Sequence, residues 1–289
     1  MKYLFFSDLD GTLLDHETYS YEAGREGMAA LRDKGFPLVL VSSKTYDEMK
    51  ILHGEMGLDA PFIFENGGGI FWPVGRGRIE YCGKEASALR KKRKALESAM
   101  GEPVLFITDI SADEIVRITG LSRERALLSQ RRKASLPFLL PSGKSFRIDG
   151  INRINDLLSP RGLCITRGGR FYHFLSLQSD KGSAIQKVID FYKRKFSGSI
   201  STVGIGDSEN DIAMFRAVDI PVLVRKHDGT LIKTGIEHIR TTSRIGPEGF
   251  SEAVKAVIEE SSGSCTGRGH RRTGGRGHTD INSNRRGRS

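Results

Sequence analysis

The chain has 289 residues, 38% of them hydrophobic and 28% charged, ordinary proportions for a globular protein with room for one large domain or two small ones. No apolar run is long enough to span a bilayer, and the apolar start after Met1-Lys2 breaks at Asp8, too early for a signal peptide; no membrane partner and a cytoplasmic location are expected. The net charge of +10 is uneven, since residues 261–289 hold seven arginines against Asp280 and leave the body at +4, which argues against a nucleic-acid surface there. Cys82, Cys164 and Cys265 are scattered, without a C-x-x-C pair, which speaks against a disulfide framework or a zinc site.

Along the chain, 3–7 reads as a buried strand, 21–34 as a helix stopped at Gly35, 37–42 as a second strand, 45–56 as a helix and 62–64 as a third strand. This β-α-β-α-β order predicts a doubly wound parallel sheet of the α/β class, with functional groups at the carboxyl ends of the strands. The rhythm changes near residue 83. A basic helix over 85–100 leads into 104–107 and 113–118, then a charged helix near 122–133. Strand-like pieces follow at 136–140, 145–148, 163–166 and 171–175, around a helix-like stretch at 150–158. This segment, 83–177, is expected to be an inserted α+β cap, and 1–82 with 178–260 the discontinuous core. Core-like alternation resumes with a helix over 181–196, strands at 201–205 and 222–224, and a closing helix over 249–260. Residues 261–289 are rich in Gly, Ser and Arg with few large apolar groups, too little to offset ordering entropy, so the tail is expected to be disordered. It serves either as a passive extension or as the one segment able to attract a polyanion such as RNA.

Four motifs carry chemistry. Asp8 and Asp10 end the first strand, and Gly11-Thr12 turns the chain sharply away. Two acids so close repel unless a cation lies between them; one can attack phosphorus while the other handles protons, with magnesium neutralising both. Asp-Gly is also a common turn dipeptide. Ser42 ends the second strand, where its hydroxyl and nearby N–H groups can donate to a phosphoryl oxygen. Lys181 opens a helix, a place that disfavours cations; it is either a surface lysine or a charge that balances the nucleophile. Gly206-Asp207-Ser208-Glu209-Asn210-Asp211 follows a strand, with Asp207 and Asp211 spaced to face one cation and Asn210 able to hold a loop or substrate; the EF-hand pattern is not met.

In this order, the four motifs resemble those of the haloacid dehalogenase (HAD) superfamily, in the type with a large cap after the third strand. The resemblance implies Asp8 as nucleophile and Asp10 as general acid and base. It implies Mg2+ held by Asp8, the carbonyl of Asp10 and Asp207, supported by Asp211, with Ser42 and Lys181 on the phosphoryl group. Further pieces are Ser42-Ser43-Lys44-Thr45, Glu65-Asn66-Gly67, Thr119-Gly120-Leu121-Ser122, Gly169-Arg170-Phe171-Tyr172-His173 and Gly246-Pro247-Glu248-Gly249. Together they resemble the mannosyl-3-phosphoglycerate phosphatases over residues 1–258. That implies hydrolysis of 2-O-(α-mannosyl)-3-phosphoglycerate to the compatible solute mannosylglycerate. Candidate substrate contacts are Ser43, Lys44, Glu65, Asn66, Gly67 and Asn210, with Arg132, Arg167 and Arg170 as carboxylate binders. His173 is equally readable as structural or as a substrate contact. Lys133-Ala134-Ser135 departs from the family's tendency to a glutamate there, which leaves the sugar open. Phosphatases of broader range also fit, of the Cof-like, glucosyl-3-phosphoglycerate, sucrose- or trehalose-phosphate kinds, as does a polyanion-binding protein acting through its tail.

Overall fold

The structure, a computed structural model, describes residues 2–196 and 199–263. Its strands in chain order are β1 (Lys2–Ser7), β2 (Leu38–Val41), β3 (Phe62–Phe64), β4 (Gly69–Trp72), β5 (Arg78–Tyr81), β6 (Leu105–Phe106), β7 (Ser135–Leu139), β8 (Leu163–Arg167), β9 (Tyr172–Ser176), β10 (Ile200–Gly206), β11 (Ile220–Arg225) and β12 (Arg240–Ile245). Eight of them form one sheet in the order β12-β11-β10-β1-β2-β3-β4-β5, parallel from β12 to β3 and antiparallel through β4 and β5.

The apolar run at β1 is explained by burial on both faces. Tyr3 and Phe5 join Leu40, Met49, Leu52, Phe250 and Val254 in one core. Leu4 and Phe6, pointing the other way, join Val39, Ile185, Val188 and Phe215 in a second. Helices Arg25–Asp33, Tyr46–Glu55 and Gly246–Gly263 therefore cover one face, and Lys181–Lys195 with Ile212–Ala217 the other.

A separate antiparallel sheet, ordered β6-β7-β9-β8, lies between β5 and β10 in the chain. With its helices it encloses its own core, including Leu89, Leu96, Phe106, Phe138, Leu158 and Phe174. The fold is the expected α/β core with an α+β cap.

Some local expectations are corrected. The piece at 145–148 is not a strand: Phe146 donates its N–H to the Tyr172 hydroxyl at 2.7 Å, and the chain enters the helix Ile148–Leu158 at once. The basic helix is two, Ala86–Arg90 and Arg93–Met100. The hairpin β4–β5 and the edge strand β12 had no clear pattern in the sequence. The closing helix runs to Gly263; the arginine-rich remainder, Cys265 and the polyanion expectation lie outside the described residues. Among those residues no helix is long and apolar enough to cross a membrane, and Cys82 and Cys164 are free thiols.

Candidate active site

The parallel pairing of β1 with β10 sets Ser7 opposite Ile205, and Asp8 continues the ladder by donating its N–H to the Ile205 carbonyl at 2.9 Å. The two strands thus end together, and Asp8 and Asp207 emerge side by side. Gly11 makes the turn possible. Its φ is +83°, and a Cβ there would lie 2.7 Å from the Asp207 carboxylate. Thr12 donates to that carboxylate at 3.3 Å.

Asp8, Asp207 and Asp211 are buried and each brings an oxygen within 4.8 Å of the others. Lys181 sits among them, its ammonium 2.6 Å from Asp8 Oδ1 and 2.7 Å from Asp211 Oδ1. The helix it opens is capped by Asp180, whose side chain accepts from the Ser183 N–H. Burial works against the charge of Lys181, but Asp211 and Asp8 outweigh it and its pKa is raised. Burial, with the charge of Asp211, drives Asp8 well above the usual carboxylate range, Lys181 only partly offsetting it. The same two causes push Asp207 up to about 7. Three buried oxygen donors under mutual repulsion fit a hard divalent cation. Asp211 Oδ2 accepts from the N–H groups of Asp207 and Ser208 and from the Ser208 hydroxyl, so it braces the loop, while Asn210 bonds Ser208.

Ser42 is buried at the end of β2 and accepts from the Lys44 N–H at 3.2 Å. The next residues are fixed by a reciprocal cap, in which Thr45 accepts from the Glu48 N–H and Glu48 from the Thr45 N–H. Lys44, presented by this loop, makes an ion pair with Asp10 at 2.7 Å and lies over the Tyr19 ring. Burial opposes its charge, yet Asp10 and Glu48 raise its pKa.

Glu65-Asn66-Gly67 is placed differently from a substrate loop. The buried Glu65 carboxylate accepts the backbone N–H groups of Lys133, Ala134 and Ser135 at 2.7–2.9 Å and the Ser135 hydroxyl at 2.8 Å. Arg132 approaches it at 3.4 Å and also donates to the Ser43 carbonyl. This is a joint between core and cap, and the departure at 133–135 falls on it rather than on the cavity. Gly67 has φ +91°, and its bare Cα lets the loop pack on the backbone of Asp180 and Lys181. The Asn66 side chain is buried with neither amide atom hydrogen-bonded.

A cavity of about 550 Å3 lies between the carboxylate cluster and the cap. Asp8, Asp10, Ser43, Lys44, Arg132, Arg167, Arg170, Asp207 and Asn210 line it; Ser42, Glu65, Asn66, Gly67, Lys181 and Asp211 do not. Arg170 donates to the Tyr19 hydroxyl at 3.0 Å. Sequence reasoning missed a stacked pair at this wall, His16 and His227, with ring centroids 4.0 Å apart. His16 stands just beyond Asp15 and could have been flagged by that proximity; nothing in the sequence ties it to His227.

An aspartate pair at adjoining strand ends, an embedded lysine and a capped cavity define a phosphoric monoester hydrolase. The profile of the haloacid dehalogenase-like hydrolases matches residues 5–82 and 147–241. A glucosyl-3-phosphoglycerate/mannosyl-3-phosphoglycerate phosphatase of Persephonella marina is 34% identical over 272 residues, 91% of this chain and 99% of its own. A protein of the same description from Methanococcoides burtonii is 33% identical over 279 residues, again 91% and 99%. Among solved structures, the sucrose-phosphatase of Synechocystis superposes with a TM-score of 0.60 at 18% identity, covering 89% of this chain and 99% of that one. The chain belongs to the haloacid dehalogenase-like hydrolase family.

Proposed function

We propose that the chain is a magnesium-dependent phosphatase acting on 2-O-(α-mannosyl)-3-phosphoglycerate, releasing mannosylglycerate and phosphate. The observation that carries this reading is the cavity's two unlike ends. Asp8 and Asp10 stand at its floor, with Lys181 behind them. Among the other lining residues are the cations Arg132, Arg167 and Arg170, with Lys44 paired to Asp10 between the two ends, suited to a substrate with a carboxylate beside its phosphate. The names carried by the two relatives support the same substrate class.

Asp8 attacks phosphorus through the oxygen that Lys181 leaves free, giving an aspartyl-phosphate, and the departing alkoxide takes a proton from Asp10. Asp10 then accepts a proton from the water that attacks the acyl phosphate, and phosphate leaves with Asp8 restored. Lys181 neutralises Asp8 and, through it, the charge of the phosphoryl group, while the buried Ser42 accepts from the Lys44 N–H and so fixes the loop that presents Lys44 to the cavity. Magnesium, held by Asp8, the Asp10 carbonyl and Asp207 with Asp211 in support, would supply charge neutralisation.

A second reading, the glucosyl analogue, is favoured by the relatives' names, which carry both sugars. The test is phosphate release with magnesium from the mannosyl and glucosyl compounds and from sucrose- and trehalose-phosphate, with wild type and Asp8→Asn. Preference for a glycosyl-phosphoglycerate, lost in the variant, supports the proposal; equal rates on all four overturn the substrate.

A further inference from the structure

The cap presents one row of side chains that the chemistry so far leaves unused. Pro137 on β7, His173 on β9 and Thr166 on β8 are cross-strand partners, so their side chains project from the same face of the sheet. Pro137 and His173 line the cavity, beside Phe171 and Arg132.

His173 is buried, yet its Nδ1 has no hydrogen-bond partner, and neither has the buried hydroxyl of Thr166. Buried polar atoms are rarely left this way, because each forfeits its bonds to water. Of the two, His173 stands on the cavity wall, a hydrogen-bonding side chain there that the protein does not itself satisfy. The row also differs in character from its surroundings. Lys44, Arg132, Arg167 and Arg170 offer only donors with positive charge. Burial, with the charges of Arg132 and Lys181, holds the His173 pKa down to about 3, so its ring is neutral, with one nitrogen donating and one accepting. A neutral donor–acceptor beside the flat apolar surfaces of Pro137 and Phe171 suits a sugar hydroxyl and its ring face, and is of little use to an anion.

We propose that His173 is the residue that reads a hydroxyl of the substrate's glycosyl group. This rests on the reading of the protein as a sugar-phosphate phosphatase and gives that reading a specificity determinant. The phosphate and carboxylate ends bind by charge; the sugar is selected by a neutral imidazole in the cap.

The test is steady-state kinetics with wild type, His173→Phe and His173→Asn. The substrates are mannosyl-3-phosphoglycerate, its monodeoxy-mannosyl analogues and p-nitrophenyl phosphate, which has no sugar. His173→Phe should raise KM for the glycosyl substrate about 10- to 100-fold, leaving kcat/KM on p-nitrophenyl phosphate within about twofold. His173→Asn, which keeps a donor and an acceptor, should recover most of the loss. One deoxy analogue should cost wild type about tenfold and cost His173→Phe nothing further. Equal losses on both phosphate esters, or an unchanged penalty for every deoxy position in the variant, would overturn the proposal. If His173→Phe fails to fold, a wild type indifferent to every deoxy position overturns it equally. Should wild type prefer another sugar phosphate, the deoxy comparison moves to that sugar and the substrate reading alone falls. Release from p-nitrophenyl phosphate but from no sugar phosphate overturns both.

Discussion

The α-carbon of Gly67 and the carbonyl of Asp180 meet with no room for a side chain between them, and φ at Gly67 is +91°. Asp180 caps the helix that begins at Lys181, so this contact seats the lysine that holds Asp8. Gly67→Ala should therefore cost about 2 kcal/mol or more of stability through strain and overlap. It should also cut kcat at least about tenfold by displacing Lys181. Urea unfolding and phosphate release check the two effects separately.

Asp8→Asn keeps the shape of the side chain and removes the oxygen proposed as the nucleophile. Phosphate release should fall at least about a thousandfold. The variant should fold, because the buried repulsion among Asp8, Asp207 and Asp211 is relieved. A higher melting temperature than wild type in metal-free buffer is the expected signature.

Chelation by EDTA should abolish phosphate release, and added magnesium should restore it. The same titration should raise the melting temperature, since a cation that binds only the folded site stabilises it by about 2.7 kcal/mol at a hundred times its Kd. Asp207→Asn should weaken both responses.

Glu65→Gln replaces an acceptor with an amide donor facing the backbone N–H groups it now receives. Losing one side of a buried charge-assisted network should cost about 2–4 kcal/mol. Limited proteolysis near residues 133–135 should speed up, while Ser42 and Asp8 keep their places. An unchanged proteolysis pattern would show that the cap is held by other contacts.

His173 gives a pH dependence of stability. Its pKa is about 3 in the folded protein against about 6.5 unfolded, so the unfolded chain binds the proton more readily. Its contribution is complete above about pH 6.5 and is lost as pH falls toward 3, at up to about 1.4 kcal/mol per unit. In His173→Gln the fall of stability between pH 6.5 and 4.5 should be shallower by that slope.

The sequence exposed what local pattern controls. Asp8 and Asp207 were legible because each follows a buried strand and parallel sheets bring such ends together. Lys181 was legible because a lysine at a helix start is anomalous. Glu65 was read as a candidate substrate contact, and its role in the joint stayed hidden because its partners, 133–135, lie 68–70 residues away and act through backbone N–H groups, which no side chain announces. The ion pair of Lys44 with Asp10 depends on how the loop after β2 is capped and on burial. The hairpin β4–β5 was hidden by its glycines, and 145–148 by an alternation that packing did not use.

The centre of the large sheet has a consequence for how the protein is made. Strand β1 is flanked by β2 and by β10, and β10 begins at Ile200. During synthesis one edge of this central, largely buried strand waits unpaired for nearly two hundred residues, on the order of ten seconds or more at ribosomal speed. The cap, whose strands all lie between 105 and 176, has the contacts to fold in that interval. The buried carboxylates Asp8, Asp207 and Asp211 come together last. A ribosome stalled before β10 would release a chain with a folded cap, no active site and an open strand edge prone to aggregation.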